Sequence, residues 1–282
     1  MKLSGQQRII LIFKKLFKLN FLKISLFFHT FIFLIFSSSI YSSDCMEYSK
    51  PPFTGTIFID PNIITENDPT SFISLKASEA KLRMMFDRRV DDWIEANPLI
   101  FLAYYDDNYI IEVQVNPEFE SPEIALEKAK KYATIIGRLP SILRTNVETV
   151  WIHKGMKPFG GGNKNLLIHT DWSEKHYETQ GILEETFIHE AAHTSLDGIY
   201  SNDLGWKNAQ KIDCQFISIY ALENPNREDI AESYLSYFAV RYASRRISKK
   251  MINIIQNTIP ERIKYFDKQE QNIYPFISDS NF

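Results

Sequence analysis

The sequence predicts an α+β protein in which a mixed α/β half precedes an all-helical half. Its 282 residues are 44% hydrophobic and 24% charged, a composition typical of a globular chain that can bury a core. β-rich segments occur before residue 180, whereas apolar residues recur at helical spacing from residue 181 onward. Because no long linker separates the halves, we expect one domain over residues 44–282. Its N-terminal lobe would span about 44–180, with an antiparallel or mixed sheet, and its helical C-terminal lobe about 181–282.

The first 43 residues have the pattern of a targeting segment. They hold six Lys/Arg and no acidic residue, and they lead into an apolar stretch from Ile24 to Phe36. Thirteen residues are fewer than the roughly 20 that span a bilayer, and serines follow. This order indicates a signal peptide, with an uncleaved N-terminal membrane anchor as the alternative. We therefore expect an exported protein, secreted, periplasmic or on the cell surface, in which Cys45 and Cys214 can pair.

The charge of the remaining chain disfavours several classes of partner and fold. It carries 26 of the 32 Lys/Arg against all 35 Asp/Glu, a net charge of −9. Such an acidic body does not suit a phosphate backbone, so we expect no nucleic-acid partner. Two cysteines are also too few for a disulfide-rich scaffold or a four-cysteine zinc module.

Short β-rich runs predict the strands of the first half. The two around Asp106-Asp107-Asn108 predict a hairpin, because turn formers separate them and apolar residues alternate in the second. A helix is expected from Ser121, a good N-cap, to about Leu139. The glycines 160–162 predict a flexible connection, with a lid as the alternative. The predicted strands are, in order, Thr56–Ile59, Leu99–Tyr105, Tyr109–Val115, Val147–His153 and Leu166–Thr170. The helices predicted in the second half cover residues 182–196, 209–222, 229–243 and 251–258.

The segment from Leu183 to His193 carries a metal-binding pattern. His189 and His193 are four residues apart, which places both imidazoles on one face of a helix. That spacing lets both bind a single Zn²⁺, and Glu190 can take a proton from water beside the metal. Two histidines and a glutamate inside an apolar helix would be costly to bury without a metal. We therefore expect one zinc ion per chain.

A catalytic zinc site needs a third protein ligand, for which the sequence offers several candidates. His169 and His176 are two of them. Asp197 is one turn beyond His193, where a short side chain reaches the metal poorly, so we expect it to act as an outer-shell partner. Glu228 and Glu232 fit best, because they share a face at the start of the helix after Asn224-Pro225. One of them can bind zinc while the other accepts a hydrogen bond from a ligating histidine.

Together these motifs carry a family resemblance. His189-Glu190-Ala191-Ala192-His193 with the downstream Glu228-x-x-x-Glu232 resembles the zincin metallopeptidases of the glutamate-ligand type, the gluzincins. The run from Phe216 to Glu232 is also similar to zinc-binding metallopeptidases of exported bacterial proteins. The resemblance covers about residues 181–241.

The resemblance implies a zincin-like fold with the metal site on the helical lobe. It implies that Glu228 is the third zinc ligand, that Glu232 lies in the outer shell and that Tyr220 helps to stabilise an oxyanion. It implies a peptide or protein substrate, hydrolysed with Glu190 as general base. In zincins an edge strand before the metal helix aligns the substrate, and Leu166–Thr170 is the candidate here. The alternative function is a non-catalytic surface or binding protein that carries a structural zinc ion on the same scaffold.

Overall fold

A computed structural model describes residues 45 and 48–279, and its first half is built on a six-stranded mixed sheet. The order of strands across the sheet is β1-β4-β5-β6-β8-β7. Strands β5, β6 and β8 are parallel to one another, and every other pairing is antiparallel. The strands, with β2 and β3 forming a separate two-stranded sheet, are β1 (Phe72–Ser78), β2 (Arg83–Asp87), β3 (Asp92–Ala96), β4 (Leu99–Tyr105), β5 (Ile110–Val115), β6 (Thr149–His153), β7 (Gly160–Gly162) and β8 (Asn165–His169).

Ten α-helices complete the described part of the chain. They are α1 (Pro122–Ile136), α2 (Ser141–Arg144), α3 (Thr170–Trp172), α4 (Leu183–Ser195), α5 (Asp197–Tyr200), α6 (Leu204–Asp213), α7 (Ile219–Glu223), α8 (Asp229–Tyr242), α9 (Lys249–Thr258) and α10 (Pro260–Asp267). A 3₁₀ turn at Pro117–Phe119 and a π-helical turn at Ser173–Glu178 lie between them. The protein is therefore α+β with a mixed sheet, as its sequence predicts.

The best-formed local signals of the sequence are confirmed. The β4–β5 hairpin turns at residues 106–109 with the predicted alternation, since Ile111 and Val113 are fully buried. Helix α1 is capped by Ser121, whose hydroxyl accepts hydrogen bonds from the amides of Glu123 and Ile124. Helix α1 ends at Ile136, three residues before the predicted end.

The predicted strand at Thr56–Ile59 is wrong. This segment forms a turn in which the Ile59 amide donates to the Thr56 carbonyl at 3.1 Å. The Thr56 amide donates instead to the Glu232 carboxylate at 2.8 Å, so the backbone of this β-prone run is bonded to the helical half. Strands β1, β2 and β3 have no counterpart among the predicted strands. Most residues of β1 and β3 are exposed, and β2 is a run of only five residues with a charged residue at each end.

The glycine segment is a strand and not a flexible connection. Gly160–Gly162 pairs antiparallel with β8 and forms the edge of the sheet. The strand predicted at Leu166–Thr170 is confirmed as β8, one residue earlier in the chain. Its expected place at the edge of the sheet is wrong, since β8 lies between β6 and β7. A Cβ atom on Gly161 would lie 1.8 Å from the Glu190 carbonyl oxygen, so only glycine allows β7 to lie so close to α4. Glycine is required at this position by packing against a distant part of the chain. In the sequence alone, such a glycine run cannot be distinguished from a loop or turn.

The predicted helix over residues 209–222 is two helices. Helix α6 ends at Asp213, Cys214 adopts a left-handed conformation with φ of 50°, and α7 begins after Ser218. Ser218 caps α7 by accepting a hydrogen bond from the Ala221 amide at 3.0 Å. The amides of Ile219 and Tyr220 donate to the carbonyls of Phe53 and Thr54, which holds this break against residues 53 and 54, just before the turn at residues 56–59.

One continuous core joins the sheet to the helices. It contains sheet residues such as Val150 and Ile168 together with helical residues such as Phe187, Phe238 and Phe266. Helix α4 contacts β7 and β8 of the sheet and also α8 of the helical half. Residues on α4 are consequently positioned by both halves of the chain.

The N-terminal predictions fall largely outside the described residues. The predicted signal peptide or anchor, residues 1–43, is among them. Among residues 45 and 48–279, none of the helices combines the length and the hydropathy that a membrane span requires. Both Cys45 and Cys214 are disulfide-bonded.

A fully buried arginine ties the last helix to the start of α8. Arg262 donates through Nε to Asp229 at 2.9 Å and through Nη1 to Asp213 at 2.8 Å. Its guanidinium also lies 4.8 Å from the ring centroid of Phe216. A buried charge network of this kind holds its geometry strongly, because removing one partner leaves the others unpaired without water. Asp229 is the residue next to Glu228, so this network fixes where Glu228 lies.

We expect Arg262→Met to lower the free energy of unfolding by about 3–5 kcal/mol, because two buried carboxylates lose their cation. Urea denaturation followed by circular dichroism measures it. Lys164→Met is the matched control, since Lys164 pairs with Glu148 where both side chains are 63% exposed. That variant should change stability by less than about 1 kcal/mol. Equal effects in the two variants would contradict the structural role of Arg262.

A buried carboxyl group lies on α4 itself. The Glu185 carboxylate accepts hydrogen bonds from the amides of Ile63 and Ile64, while its Oε2 has no partner among the described residues. Burial, more than any other cause, raises the pKa of Glu185 from its ordinary 4.5 to about 8. The folded state therefore binds a proton here more tightly than the unfolded state.

This shift predicts a pH-dependent stability. The Glu185 contribution is most favourable below pH 4.5, declines as the pH rises, and reaches its full penalty above pH 8. We expect Glu185→Gln to be more stable than wild type at pH 9, by on the order of a few kcal/mol, with a smaller difference at pH 5. Urea denaturation at the two pH values measures it. A difference that is the same at both would show that Glu185 is ionised throughout.

Candidate metal centre

The two histidines of α4 meet a carboxylate from the start of α8. The Nε2 atoms of His189 and His193 are 3.2 Å apart, and Glu228 Oε2 lies 3.5 Å from the first and 3.0 Å from the second. Among the described residues, these three form the group of His, Cys, Asp and Glu side chains that can hold a metal ion. Glu228 rather than Glu232 completes the group.

The spacing of these atoms suits a tetrahedral ion. Metal bonds of 2.0–2.1 Å at tetrahedral angles place neighbouring ligand atoms about 3.3 Å apart. The three observed separations, 3.0, 3.2 and 3.5 Å, lie around that value. The site is also buried, with His189 at 7% and Glu228 at 2% exposure. The residues therefore fit a small divalent cation held by two nitrogens and one oxygen.

Local sequence explains why the ligands lie where they do. The spacing of His189 and His193 directs both rings from one face of α4. Glu228 stands at the N-cap of α8, where its amide donates to the Asn224 carbonyl at 2.8 Å. The neighbouring Asp229 is held by Arg262 and by Gln210, which donates to it at 2.7 Å. No sequence pattern marked Arg262 or Gln210, since they lie far from the motif along the chain.

Each histidine has its own carboxylate behind it. His193 Nδ1 lies 2.8 Å from Asp197 Oδ2, and His189 Nδ1 lies 3.4 Å from Glu232 Oε1. The hydrogen bond to Asp197 favours the His193 tautomer in which Nε2 is the nitrogen available to a metal. His189 Nδ1 lies near Glu232 but forms no hydrogen bond with any described residue. Glu232 is held in turn by the Thr56 amide. Asp197 and Glu232 thus contact the histidines and not the centre itself.

The electrostatics of the group favour a bound cation. Burial by itself would raise the pKa of Glu228, but hydrogen bonds with His189 and His193 hold that pKa well below its usual range. Burial opposes a charged imidazole at His193, yet its bonds to Asp197 and Glu228 raise its pKa to about 10. The carboxylates of Asp197, Glu228 and Glu232 surround the two imidazoles and thus stabilise positive charge between them.

Tyr220 and Glu190 border the same site. Both line a cleft of about 650 Å³ that includes the three possible ligands. The Tyr220 hydroxyl donates to Glu228 Oε1 at 3.0 Å, and the ring is 44% exposed. Burial and the Glu228 carboxylate raise the pKa of Tyr220 to about 12, so the hydroxyl keeps its proton at neutral pH. Glu190 is half-buried on α4.

The other histidines considered as ligands lie elsewhere. His169 stacks on His153, with ring centroids 5.4 Å apart, and its Nδ1 donates to the Lys154 carbonyl. His176 packs against Trp172, with ring centroids 4.1 Å apart. Neither belongs to the metal-binding group.

Comparison of the chain with protein-family models, with curated proteins and with solved structures finds no match in any of the three.

The geometry predicts about one divalent metal ion per chain, with a graded response to substitution. Glu228→Ala removes a ligand and should abolish or greatly weaken binding. Asp197→Asn leaves the three ligands in place but loses the charged partner of His193, so we expect a 10–100-fold loss of affinity. Metal content by mass spectrometry and titration with a competing chelator measure these effects.

Glu148→Gln is the control for this series, because Glu148 is an exposed carboxylate that pairs with Lys164. It should bind metal as wild type does. Metal retained at wild-type affinity by Glu228→Ala would show that this group is not the site.

Proposed function

We propose that this protein is an exported zinc-dependent hydrolase, a metallopeptidase of the zincin type. The observation that carries the proposal is the triangle of His189, His193 and Glu228 at tetrahedral spacing, with Glu190 on the same cleft. Two nitrogens and one carboxylate oxygen form a donor set that zinc uses in catalytic sites, where the fourth position is left to water or substrate. Export is supported by the basic, apolar and small-residue order of residues 1–43.

The residues around the triangle have separate roles in this mechanism. When bound, zinc supplies a Lewis acid that makes water nucleophilic near neutral pH. Glu190 takes the proton of the attacking water and passes it to the leaving amine. The protonated hydroxyl of Tyr220, which donates to Glu228 in this structure, would release that bond and donate its one proton to the developing oxyanion. Asp197 and Glu232 keep the histidine rings oriented.

A peptide substrate is supported by β7, which is an edge strand of the sheet among the described residues. Strand β7 pairs on one side with β8, and Gly161 borders the cleft beside Glu190. An extended peptide can add to such an edge through main-chain hydrogen bonds. The cleft also offers an apolar wall to a substrate side chain, formed by residues including Ile57, Phe159 and Tyr177.

Glu190→Gln tests the proposed mechanism. The variant loses the proton acceptor but no metal ligand, so we expect wild-type metal content and fold with hydrolysis at least about 100-fold slower. A library of synthetic peptides incubated with zinc-loaded protein, with products identified by mass spectrometry, measures the rate. Glu148→Gln again controls for the loss of a surface carboxylate. Cleavage by Glu190→Gln at the wild-type rate would rule out this residue as the base.

Hydroxamate binding distinguishes the alternative of a structural zinc ion. A catalytic ion keeps a position open to such an inhibitor, whereas a structural ion is closed by a fourth protein ligand. Zinc without hydroxamate binding and without peptide cleavage would favour the non-catalytic protein.

A further inference from the structure

A second pocket lies beside the metal cleft along strand β7. It has a volume of about 240 Å³ and is bordered by all three glycines of the strand. Two arginines, Arg88 and Arg227, line it together with aromatic rings, and no aspartate or glutamate does so. We call it the arginine pocket. Its aromatic residues are Phe86, Trp93 and Trp151.

The arginine pocket and the metal cleft are parts of one groove. Arg88, Gly161 and Arg227 line both cavities. A substrate bound over Gly161 therefore extends from the candidate metal ligands toward the two guanidinium groups.

Arg88 is held at the boundary between the two cavities. Its Nη1 donates to the Pro158 carbonyl at 3.3 Å. A Cβ atom at position 160 would lie 2.8 Å from Arg88 Nη2, so Gly160 leaves the space that the guanidinium occupies. Among the described residues, Arg88 bonds to a carbonyl and forms no ion pair with a carboxylate. A planar cation held in this way is a ready binding site for a carboxylate, which it can meet with two parallel hydrogen bonds.

Arg227 supplies a second cation close to the metal ligands. Its Nε lies 3.3 Å from Glu228 Oε1, while 74% of its side chain is exposed. Most of this side chain is therefore open to solvent, although it lines both cavities. An anionic group in the arginine pocket would meet positive charge from both lining arginines.

Strand geometry brings substrate side chains to this pocket. Gly161 faces α4, where its Cβ would meet Glu190, whereas Gly160 faces Arg88. Successive side chains of an extended peptide also point to opposite faces. A peptide paired with β7 would therefore direct one side chain toward the metal cleft and its neighbour toward the arginine pocket.

We propose that the arginine pocket binds a carboxylate of the peptide substrate and makes this protein selective for peptides that present a carboxylate there. The carboxylate is supplied by an Asp or Glu side chain or by the C-terminus of the peptide. The proposal rests on the proposed function for its peptide substrate. Arg88 is the main specificity residue, with Arg227 as the second cation.

The test measures binding separately from cleavage. A single Glu is moved through each position of a neutral, C-terminally amidated peptide, and each peptide is compared with its Gln counterpart. One Gln peptide is also made with a free C-terminus. Fluorescence anisotropy gives the affinity of each for zinc-loaded Glu190→Gln protein, and wild-type protein is assayed for cleavage.

At one position, we expect Glu to raise affinity at least tenfold over Gln, and Arg88→Gln to remove the difference. Arg88→Glu should reverse the preference toward a Lys peptide, which a merely misfolded variant would not do. Arg245→Gln is the matched control, since Arg245 is exposed and lies outside both cavities. A different result is higher affinity only for the peptide with a free C-terminus, lost in Arg88→Gln. That result supports the arginine pocket as a carboxylate site and identifies the bound group as the C-terminal carboxylate of the peptide.

Three outcomes would overturn the proposal: no peptide binds, Glu and Gln peptides bind equally with no gain from a free C-terminus, or the preference persists in both Arg88 variants. Failure of the hydrolase proposal is distinguishable. In that case wild-type protein cleaves none of the peptides, while the Arg88-dependent preference in binding remains.

Discussion

The convergence of two imidazoles and one carboxylate is the constraint on which the rest of this structure depends. Three ligand atoms lie 3.0–3.5 Å apart, although Glu228 is 35 residues beyond His193 in the chain. The position of helix α4 relative to helix α8 must therefore be fixed where the two helices meet. The Arg262–Asp229 pair fixes the start of α8. Helix α4 is fixed by its contacts with β7 and β8. A small shift of either helix would separate the three atoms beyond the reach of one ion.

The glycine strand joins this centre to the surface that a substrate would meet. Each glycine has a different neighbour: Gly160 accommodates Arg88, Gly161 accommodates the Glu190 carbonyl, and the Gly162 amide donates to Thr194 at 2.8 Å. Thr194 in turn donates to the Asn165 carbonyl on β8. This three-residue strand thus contacts α4 and borders the arginine pocket. In the proposed enzyme, it would couple the alignment of the substrate to the chemistry.

Prediction from sequence succeeded where the governing geometry is local. The hairpin at residues 106–109 and helix α1 follow from turn and capping residues adjacent to them. It failed where distant contacts govern the backbone. Thr56–Ile59 has a β-prone sequence but bonds to Glu232, and the glycines 160–162 have a loop sequence but form a strand against α4. A pattern of neighbouring residues cannot reveal either contact, because Glu232 and α4 lie far along the chain from the segments that they bind.

The candidate site also has features that local sequence predicts and features that only tertiary packing decides. The sequence alone determined that His189 and His193 share a helix face, because a separation of four residues sets that geometry wherever the helix lies. It also narrowed the third ligand to a few residues, with Glu228 and Glu232 the best candidates. Only the tertiary structure brings Glu228 to both imidazoles and leaves Glu232 with His189 and the Thr56 amide. It alone brings Arg88 to the groove. The physical reason is that helix spacing is a property of neighbouring residues, whereas the packing of α8 and of the β2–β3 hairpin depends on the whole core.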